Sequence, residues 1–384
     1  MNRASRCWCG TSDFVSFSSE YVRCPACETL VVARIPGSEI SQVTNDERDF
    51  YGREYWFSHQ ERDLGHPNIL ARSRTDLPER CLYWLRTVLK YKLPPAQVLE
   101  LGSAHGGFVA LLRLAAFEAT GLEVSPWVVE FARRTFSVPM FLGSVEAQQI
   151  EPASLDMIAL MDVLEHLPDP ASTMRHCLSL LKPDGILMIQ TPRYPEGMTY
   201  DEMVAQGDCF LEQLKEKGHL HLFSQRSIRE FFRKMGADHL QFEPAIFAHY
   251  DMFVFASKKP LDINSQHAVD EHLLNSPHGR VVVALLDLYR QSRQAEADLA
   301  ARLEIVQTLE AAAQERLQKL LEALAALKAE RKRVRSLEAD LAKVSVLLAE
   351  RKKGTGGSTQ GLGVVRSGLG YRALNRFRKT FMGR

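Results

Sequence analysis

The sequence predicts an α/β fold built on a doubly wound, mostly parallel sheet, flanked by a small N-terminal module and a long C-terminal helix. Short apolar segments alternate with helical stretches between residues 95 and 258, an alternation typical of parallel strands joined by crossover helices. Four of the seven cysteines lie within the first 27 residues. Residues 281–350 contain neither Gly nor Pro, which predicts one uninterrupted helix.

The central zone reads as repeated strand–helix units, and ligands of such sheets bind beyond the carboxyl ends of the strands. The predicted strands are Gln97–Leu101, Ala119–Glu123, Leu155–Met161, Gly185–Gln190 and Phe247–Ala256. The predicted helices are Glu79–Leu89, Gly107–Ala116, Pro126–Thr135, Ala171–Leu181 and residues 226–236.

The composition is that of a globular protein. Of 384 residues, 45% are hydrophobic and 25% are charged, which excludes a wholly disordered chain, a collagen-like fibre and a disulfide mini-protein. No apolar run approaches the roughly 18 residues of a membrane span, and the first ten residues lack the apolar core of a secretory signal. We therefore expect a cytoplasmic protein and leave open a peripheral location at the inner face of the membrane.

Cys7, Cys9, Cys24 and Cys27 form two close pairs, C-x-C and C-x-x-C, separated by fourteen residues. Four thiolates are a complete tetrahedral ligand set for Zn²⁺ and leave no open position for a substrate. The pairs therefore predict a structural zinc ion in a zinc-ribbon-like module over residues 1–35. The first pair departs from the usual C-x-x-C, so two unrelated redox or buried pairs are the alternative.

Apolar residues of the long helix recur in alternating steps of three and four, the spacing of a coiled-coil seam. The seam residues are Leu299, Leu303, Val306, Ala313, Leu317, Leu320, Leu324, Leu327, Val334, Leu337, Leu341, Val344 and Leu348, with Glu310 and Arg331 at two further positions. This length favours a coiled coil, and hence a homo-oligomer through residues 299–348, over a single solvated helix. The number of strands stays open.

The C-terminal segment is strongly basic. Residues 351–384 carry nine Lys/Arg and no Asp/Glu, whereas residues 1–350 have a net charge of −8. Tyr371, Leu374, Phe377 and Phe381 recur at helical spacing among the basic residues. This predicts a basic amphipathic helix that contacts a membrane surface or an acidic partner, with a disordered tail as the alternative.

These changes of pattern predict seven segments. They are a zinc-ribbon-like module (1–35), a helical N-terminal segment or lid (36–94), the α/β domain (95–258), a linker (259–280), the coiled coil (281–350), a Gly/Ser-rich linker (351–370) and the basic amphipathic tail (371–384).

Residues 98–108, Val-Leu-Glu-Leu-Gly-Ser-Ala-His-Gly-Gly-Phe, predict a strand, a glycine turn and a helix. Glycines let the backbone approach a ligand closely, and a helix N-terminus offers free N–H groups to an anion. Glu123 ends the next strand, where an acidic side chain can accept both ribose hydroxyls. These features indicate an adenosine-type cofactor and do not separate NAD from S-adenosylmethionine.

The sequence resembles the class I S-adenosylmethionine-dependent methyltransferases of the UbiG-like subgroup. Glu100-Leu-Gly102 with Gly106 is similar to the first motif of that family, and Glu123 to its ribose-binding acid. Residues 154–170, 181–192 and 219–224 are similar, in order, to its fourth-strand, fifth-strand and H-x-x-F-S segments. The resemblance covers about residues 40–258. It implies a Rossmann-like seven-stranded sheet with S-adenosylmethionine as cofactor. With the cysteine module, it extends to enzymes of sugar and surface-polysaccharide modification.

The resemblance also implies a set of site residues. The implied cofactor-binding residues are Glu100, Gly102, Ser103, Gly106, Glu123, Val124, Ser144, Val145 and Asp162. The loop departs from the family at Ala104, which we expect to fit with a negative φ, and at His105. Ser144 stands where an acid often contacts the adenine. A helix N-cap is the alternative role for Asp162.

Methyl transfer to an oxygen or an activated carbon needs a general base near neutral pH, and histidine fits this need. His219 falls where similar sugar C-methyltransferases have a catalytic His, although Gly218 replaces the Glu that precedes it there. His166 follows Glu165 just beyond the fourth strand. Both are candidate bases, and a structural role is the alternative for each.

We therefore expect methyl transfer from S-adenosylmethionine to a small-molecule acceptor, most of all a hydroxyl of a sugar or surface-glycan precursor. The alternative is a non-catalytic or regulatory scaffold displayed on an oligomeric coiled coil. Nucleic acid is not favoured as a partner, because the body is acidic and the Asn/Asp-Pro-Pro-Tyr signature is absent near the fourth strand.

Overall fold

A computed structural model describes residues 2–3, 6–35, 43–62 and 65–354. The chain divides into two compact units, Met1–Ala295 and Glu296–Arg384. The predicted tail at 371–384, and all but the first residues of the predicted linker at 351–370, lie outside the described residues.

The strands are β1 (Asn2–Arg3), β2 (Val15–Ser16), β3 (Tyr21–Arg23), β4 (Leu30–Val32), β5 (Arg34–Ile35), β6 (Gln97–Leu101), β7 (Glu118–Glu123), β8 (Met140–Leu142), β9 (Leu155–Met161), β10 (Leu181–Pro192), β11 (His221–Leu222), β12 (His239–Glu243) and β13 (Asp251–Ser257).

The α-helices are α1 (Gln60–Arg62), α2 (Ile69–Asp76), α3 (Leu82–Tyr91), α4 (Gly107–Leu114), α5 (Pro126–Phe136), α6 (Pro170–Leu180), α7 (Tyr200–Gln206), α8 (Gln225–Arg233), α9 (Gln266–Leu274) and α10 (Pro277–Gly354). Single π-helical turns cover Tyr55–His59 and Leu77–Cys81, and 3₁₀ turns cover Val145–Ala147, Leu164–His166 and Cys209–Gln213.

Seven strands form the central sheet in the order β12-β13-β10-β9-β6-β7-β8. The five strands from β10 to β8 are parallel, and β13 runs antiparallel to both of its neighbours. This confirms the predicted Rossmann-like, mostly parallel seven-stranded sheet. The strand order reverses between β6 and β9, which is where open α/β sheets bind their ligands.

Apolar residues cover both faces of the sheet, as a parallel sheet between helix layers requires. Val98 and Ala159 belong to the apolar cluster on one face, and Leu99 and Ile158 belong to the cluster on the other. Neighbouring residues of a strand point to opposite faces. Strands of this kind appear in the sequence as continuous apolar runs, which is why β6 and β9 have the predicted bounds.

Strands at or near the sheet edges differ more from the prediction. The strands β8 and β12 were not predicted, because each is an edge strand whose side chains are mostly exposed or half-buried. The predicted strand over Phe247–Ala256 begins later, at Asp251, because residues 247–250 form a turn closed by the Asp251 N–H on the Phe247 carbonyl (2.8 Å).

The cysteine module shares a sheet with the α/β domain. Strands β2, β3 and β4 continue into β11, which pairs antiparallel with β4. The Tyr21 hydroxyl donates to the His219 carbonyl (2.8 Å), and the rings of Trp8 and Phe231 meet edge-on at 5.0 Å. The module is therefore packed against the domain, directly beside His219.

Residues 259–280, predicted as a linker, contain the helix α9 and the start of α10. Val269 and Leu273 of α9 are buried in the same apolar cluster as Phe255 of the sheet, and so are Val282 and Leu286 of α10. This segment therefore completes one face of the sheet. In the sequence its few apolar residues are separated by polar ones, so the segment was interpreted as a linker.

From Glu296 to Gly354 the described residues form continuous helix, and the described side chains are exposed. The Leu and Val residues of the predicted seam are each 45–71% exposed. Apolar stripes of this length are stable in water when a second helix covers them, so homo-oligomerisation stays a prediction. No helix among the described residues is long and apolar enough to cross a membrane.

We expect the full-length protein to sediment as an oligomer, and Leu320→Asp with Leu324→Asp to shift it towards monomer, because two charges would enter the apolar seam. The matched control adds the same charges outside the seam, Gln318→Asp with Ala329→Asp, and is expected to keep the wild-type mass. Sedimentation equilibrium measures the mass, and a monomeric wild type would contradict the prediction.

Candidate active site

A cavity of about 930 Å³ opens at the carboxyl ends of β6, β9 and β10. Its lining comes from the ends of these strands, from the aromatic segment near Tyr55, from the helix α3 and from the loop before β11. The predicted site residues that line it are Glu100, Gly102, Ser103, Asp162, His166 and His219. The cavity therefore lies at the point of the sheet where a ligand is expected.

The turn after β6 is tight and left-handed. Gly102 has φ +64°, and a Cβ there would lie 2.5 Å from Val163 Cγ2. Gly106, at the N-cap of α4, has φ +78°. Ala104 has φ +46°, which corrects the expectation of a negative φ, because the chain needs left-handed geometry at this position as well. Such backbone in a non-Gly residue costs about 1 kcal/mol or more.

His105 holds this turn against α2. Its Nδ1 accepts from the Gly107 N–H (3.0 Å), so the ring proton lies on Nε2, which donates to Asp76 Oδ2 (3.3 Å). Burial raises the pKa of Asp76, but the hydrogen bond from His105 and the charge of Arg72 outweigh it, and the net pKa is lowered. His105 therefore has hydrogen-bond partners within the protein, the Asp76 carboxylate and the Gly107 N–H.

Two buried carboxyl groups end the neighbouring strands. Burial, together with the charge of Glu123, raises the pKa of Glu100 well above its ordinary value. Burial raises the pKa of Glu123 to about 7. Glu100 Oε2 has no hydrogen-bond partner among the described residues, and Glu123 Oε2 accepts only a long bond, from the Val124 N–H (3.3 Å). Buried carboxyls in this condition are poorly satisfied without a ligand.

Asp162 directly follows β9 and has φ +57°. Its Oδ1 accepts from Gln190 Nε2 (3.1 Å), and Arg80 Nη1 lies 3.7 Å from Oδ2. The following 3₁₀ turn has Val163 at its N-cap position and no side-chain cap. Asp162 therefore lines the cavity. It does not cap the following turn, whose N-cap residue is Val163.

His166 and His219 lie side by side, with ring centroids 4.9 Å apart. His166 Nδ1 lies 2.8 Å from the Gly218 carbonyl, and His219 Nδ1 lies 2.8 Å from the Gln213 carbonyl. A carbonyl only accepts, so each Nδ1 carries the proton and each Nε2 has a free lone pair. Burial lowers the pKa of both rings, that of His219 strongly. Both rings are therefore neutral at pH 7.

The aromatic segment over residues 50–59 covers the cavity. Asp46, before it, accepts from the Ser125 hydroxyl (2.8 Å) and from the Trp127 N–H (3.1 Å) at the start of α5. Tyr55 and Trp56 line the cavity, and the buried Trp56 Nε1 has no hydrogen-bond partner among the described residues. The segment is therefore fastened to the end of β7 and closes the site on that side.

Five predicted cofactor residues do not line this cavity. They are Gly106, Glu123, Val124, Ser144 and Val145. Gly106 and Val145 are buried, and Ser144 precedes the 3₁₀ turn at Val145–Ala147 without capping it. The charge of Glu123 raises the pKa of Tyr55 along with burial, the larger cause. Glu123 and Tyr55 of the covering segment therefore interact electrostatically.

Several charged residues of the cavity were missed in the sequence. They are Arg72, Asp76, Arg80, Glu212, Lys215, Glu216, Lys217 and Asp251. Arg80 stacks on Phe247 (4.8 Å), and its buried Nε has no hydrogen-bond partner among the described residues. These residues come from α2, from two single helical turns, from the loop before β11 and from the start of β13, so no local spacing marks them. Burial and the neighbouring Asp162 raise the pKa of Asp251 to about 8.

The four N-terminal cysteines lie together. The Sγ atoms of Cys7 and Cys27 are 3.5 Å apart, and so are those of Cys9 and Cys24. All four lie within 4.8 Å of one another. Tetrahedral zinc with Zn–S bonds of about 2.3 Å needs S–S distances of about 3.8 Å. Hydrogen bonding from Cys7 lowers the pKa of Cys27 to about 5.

Comparison with known proteins agrees with the resemblance. Residues 73–241 match a family model described as a methyltransferase domain. The "Ubiquinone biosynthesis O-methyltransferase" of Xanthomonas campestris pv. campestris (strain B100) is 34% identical over 161 residues, which cover 38% of this chain and 65% of that one. The protein of the same name from Xylella fastidiosa (strain 9a5c) is 33% identical over 26% of this chain and 43% of that one.

The chain thus spans less than two thirds of the length of these relatives, and its match to the methyltransferase-domain model is confined to residues 73–241. Among solved structures, the YcgJ protein of Bacillus subtilis covers 47% of this chain and 98% of its own (16% identity, TM-score 0.38). The citrinin polyketide synthase CMeT domain covers 54% of this chain and 59% of its own, with 16% identity and a TM-score of 0.40. These scores are low, and the fold assignment rests on the sheet order.

We expect Gly102→Ala to lower the free energy of unfolding more than Gly197→Ala. Both positions have positive φ, but a Cβ at Gly197 meets nothing within 4 Å. The control therefore carries the backbone strain alone, about 1 kcal/mol, and the clash with β-branched Val163 adds about 1–3 kcal/mol. Urea unfolding measures both, and equal losses would contradict the prediction.

We expect Glu123 to make the protein less stable as pH rises from 4.5 to 7. In this window the unfolded chain has released the proton at the ordinary pKa of 4.5, while the folded chain keeps it to about 7. The folded state binds more protons, so unfolding becomes easier by at most about 3 kcal/mol.

Glu123→Gln removes this titration and is expected to make the slope of the free energy of unfolding against pH less negative than in the wild type between pH 5 and 8. Glu118→Gln changes an exposed carboxyl on the same strand and is expected to leave the slope unchanged. A Glu123→Gln slope equal to that of wild type would show that Glu123 titrates normally in the folded protein.

Proposed function

We propose that this protein transfers a methyl group from S-adenosylmethionine to a hydroxyl oxygen of a small-molecule acceptor. The observation that carries the proposal is the cavity at the carboxyl ends of β6 and β9, with buried Glu100 and the left-handed turn at Gly102 on its lining. The methyltransferase-domain match at residues 73–241 selects S-adenosylmethionine among adenosine cofactors.

The cavity fits this cofactor in its chemistry. Three buried polar atoms around it lack a partner among the described residues: Glu100 Oε2, Trp56 Nε1 and Arg80 Nε. An amino acid moiety offers an ammonium to a carboxylate and a carboxylate to a cation. Glu100 with Gly102, Ser103 and Gly106 would bind this moiety. Glu123 and Val124 would bind the ribose, and Ser144 and Val145 would bind the adenine. These four residues do not line the cavity, so the covering segment would have to move for the ribose and the adenine to reach them.

When bound, the sulfonium supplies an already activated methyl group, so the protein's own residues position the acceptor and take its proton. His219 and His166 are the candidate bases, because each presents a neutral Nε2 beside the cavity. Asp162, held by Gln190 and Arg80, would fix the acceptor between the histidines and the cofactor.

Oxygen is favoured over carbon as the methylated atom, because the relatives above are named O-methyltransferases. The sugar or surface-glycan acceptor expected from the cysteine module finds no support in those names. Our proposal therefore extends to a hydroxyl-bearing small molecule and leaves its class open.

We also propose a structural zinc ion at the four cysteines. Its support is the 3.5 Å separation of the paired Sγ atoms and the burial of Cys7, Cys24 and Cys27. Because β4 pairs with β11 and Tyr21 binds the His219 carbonyl, zinc would fix the position of His219 without touching a substrate.

A second role, display of the domain on an oligomeric scaffold, is favoured by the exposed seam at residues 299–348. It is compatible with catalysis, since the seam lies outside the unit that contains the cavity. We propose homo-oligomerisation through this seam, and contact of residues 371–384 with a membrane surface or an acidic partner.

Calorimetric titration with S-adenosylhomocysteine tests the proposed cofactor. We expect micromolar binding by the wild type and a loss of at least about tenfold in Glu123→Ala, because a charged hydrogen bond is worth about 1.5–3 kcal/mol. Glu118→Ala, on the exposed end of the same strand, is the matched control and is expected to bind as the wild type does. No binding by folded wild-type protein would reject the enzyme proposal and favour the scaffold.

A further inference from the structure

Two charged residues of opposite sign interrupt the apolar seam of α10. Glu310 and Arg331 occupy seam positions three heptads apart in the continuous helix. Helical side chains interact with those three and four residues away, and neither residue has an opposite charge at these positions. At 1.5 Å per residue the two lie about 31 Å apart along the helix, so they do not pair with each other within one chain.

A second helix that covers the seam removes both charges from water. A polar residue at a coiled-coil core position lowers stability and specifies how the helices pair. A buried charge is costly unless an opposite charge lies beside it. The partner helix must therefore bring a cation to Glu310 and an anion to Arg331, and a second copy of this chain carries both.

A parallel, in-register pair of copies does not provide this match. It sets Glu310 beside Glu310 of the second copy and Arg331 beside Arg331 of the second copy, which creates two contacts between like charges. A parallel pair staggered by three heptads would bring Glu310 to Arg331 at only one of the two sites. It would also leave three heptads of each seam uncovered, in an open-ended contact that does not close.

An antiparallel pair of copies covers the seam over its full length. With the two-fold axis at residue 322, Leu320 lies opposite Leu324 of the second copy, and Leu303 lies opposite Leu341 of the second copy. Across residues 299–345, each seam position falls opposite a seam position of the second copy or within one residue of it. The two-fold axis makes this contact closed and self-complementary.

The same register brings the charged seam residues together. Glu310 lies opposite Val334 of the second copy, and Arg331 of the second copy lies in the adjacent layer, three residues away. Three residues correspond to about 4.5 Å along the helix axis, which the two long side chains can span. The two-fold symmetry creates the same ion pair a second time.

The charges of the whole segment show the same polarity. Residues 296–322 carry six acidic and three basic side chains, whereas residues 323–348 carry three acidic and six basic ones. A parallel pair sets each half beside the same half of the second copy. An antiparallel pair sets the acidic half beside the basic half, and charge complementarity of this kind selects one arrangement over the other.

We propose that two copies of this chain pair through residues 296–348 as an antiparallel, two-stranded coiled coil, in which Glu310 of each copy pairs with Arg331 of the other. This inference rests on the homo-oligomerisation proposed above and adds its orientation, register and strand number. The two chains then enter the coil at opposite ends. Their Glu296 residues lie about 78 Å apart, whereas a parallel pair would set them side by side.

Exchange of the seam charges tests the orientation in the full-length chain. In the antiparallel pair, Glu310→Arg brings two arginines together at each site, and Arg331→Glu brings two glutamates together. We expect each to raise the dissociation constant of the dimer by at least about tenfold, and the double variant to restore the wild-type value. In a parallel pair each exchange only replaces one like-charge contact by another. Sedimentation equilibrium measures the dissociation constant.

The matched controls are Glu304→Arg and Arg333→Glu, which make the same changes of charge outside the seam. We expect both to keep the wild-type dissociation constant, since their side chains do not face the second copy. Circular dichroism checks that each variant keeps its helix content.

Disulfide formation gives an independent readout of the register. Leu303→Cys and Leu341→Cys each place one thiol in the seam. In the antiparallel pair the two copies of residue 303 lie about 57 Å apart, and so do those of residue 341. Neither single variant is therefore expected to form a disulfide-linked dimer, whereas the double variant is. Non-reducing electrophoresis after mild oxidation detects the dimer, and the wild type shows the background from the native cysteines.

The proposal is overturned if Leu303→Cys alone forms the disulfide-linked dimer above that background, or if the double charge exchange associates no better than the single ones. A wild-type mass above that of two chains would also overturn it and leave homo-oligomerisation standing. A monomeric wild type would reject both this inference and the homo-oligomerisation on which it rests.

Discussion

The buried carboxyl groups at the carboxyl edge of the central sheet are the constraint on which the site depends. Glu100, Glu123 and Glu165 are each at most 5% exposed, and burial raises the pKa of all three. Carboxyl groups in such places destabilise the free protein unless a proton or a cation compensates them. A ligand that compensates such groups would stabilise this edge of the sheet, as we propose for the cofactor at Glu100 and Glu123.

Contacts near the same edge of the central sheet also fix the position of the N-terminal module. The module completes its own sheet with β11, the strand that follows His219, and Tyr21 binds the His219 carbonyl. A histidine on a free loop would be poorly positioned, because a loop alone does not hold a side chain to within the tolerance of ligation or proton transfer. The pairing of β4 with β11 and the hydrogen bond from Tyr21 to the His219 carbonyl thus connect the module that carries the cysteine cluster to the cavity.

Prediction from sequence succeeded where the signal is local and failed where it is not. Continuous apolar runs identified β6 and β9, since strands buried on both faces admit few polar residues. The short exposed edge strands β8 and β12 left no such run. The backbone of Ala104 could not be predicted from its residue type, because alanine favours negative φ. The left-handed backbone there is imposed by the turn into α4, in which His105 is hydrogen-bonded to Asp76.

By itself the sequence determined the α/β class, the glycine turn after β6, the paired cysteines and the long helix with its apolar seam, because each is encoded in spacing within one short segment. Only the tertiary structure decided that His166 and His219, 53 residues apart, share one face of a cavity with Arg80 and Asp251. Strand order and loop closure bring such groups together, and no periodicity along the chain records which distant segments meet.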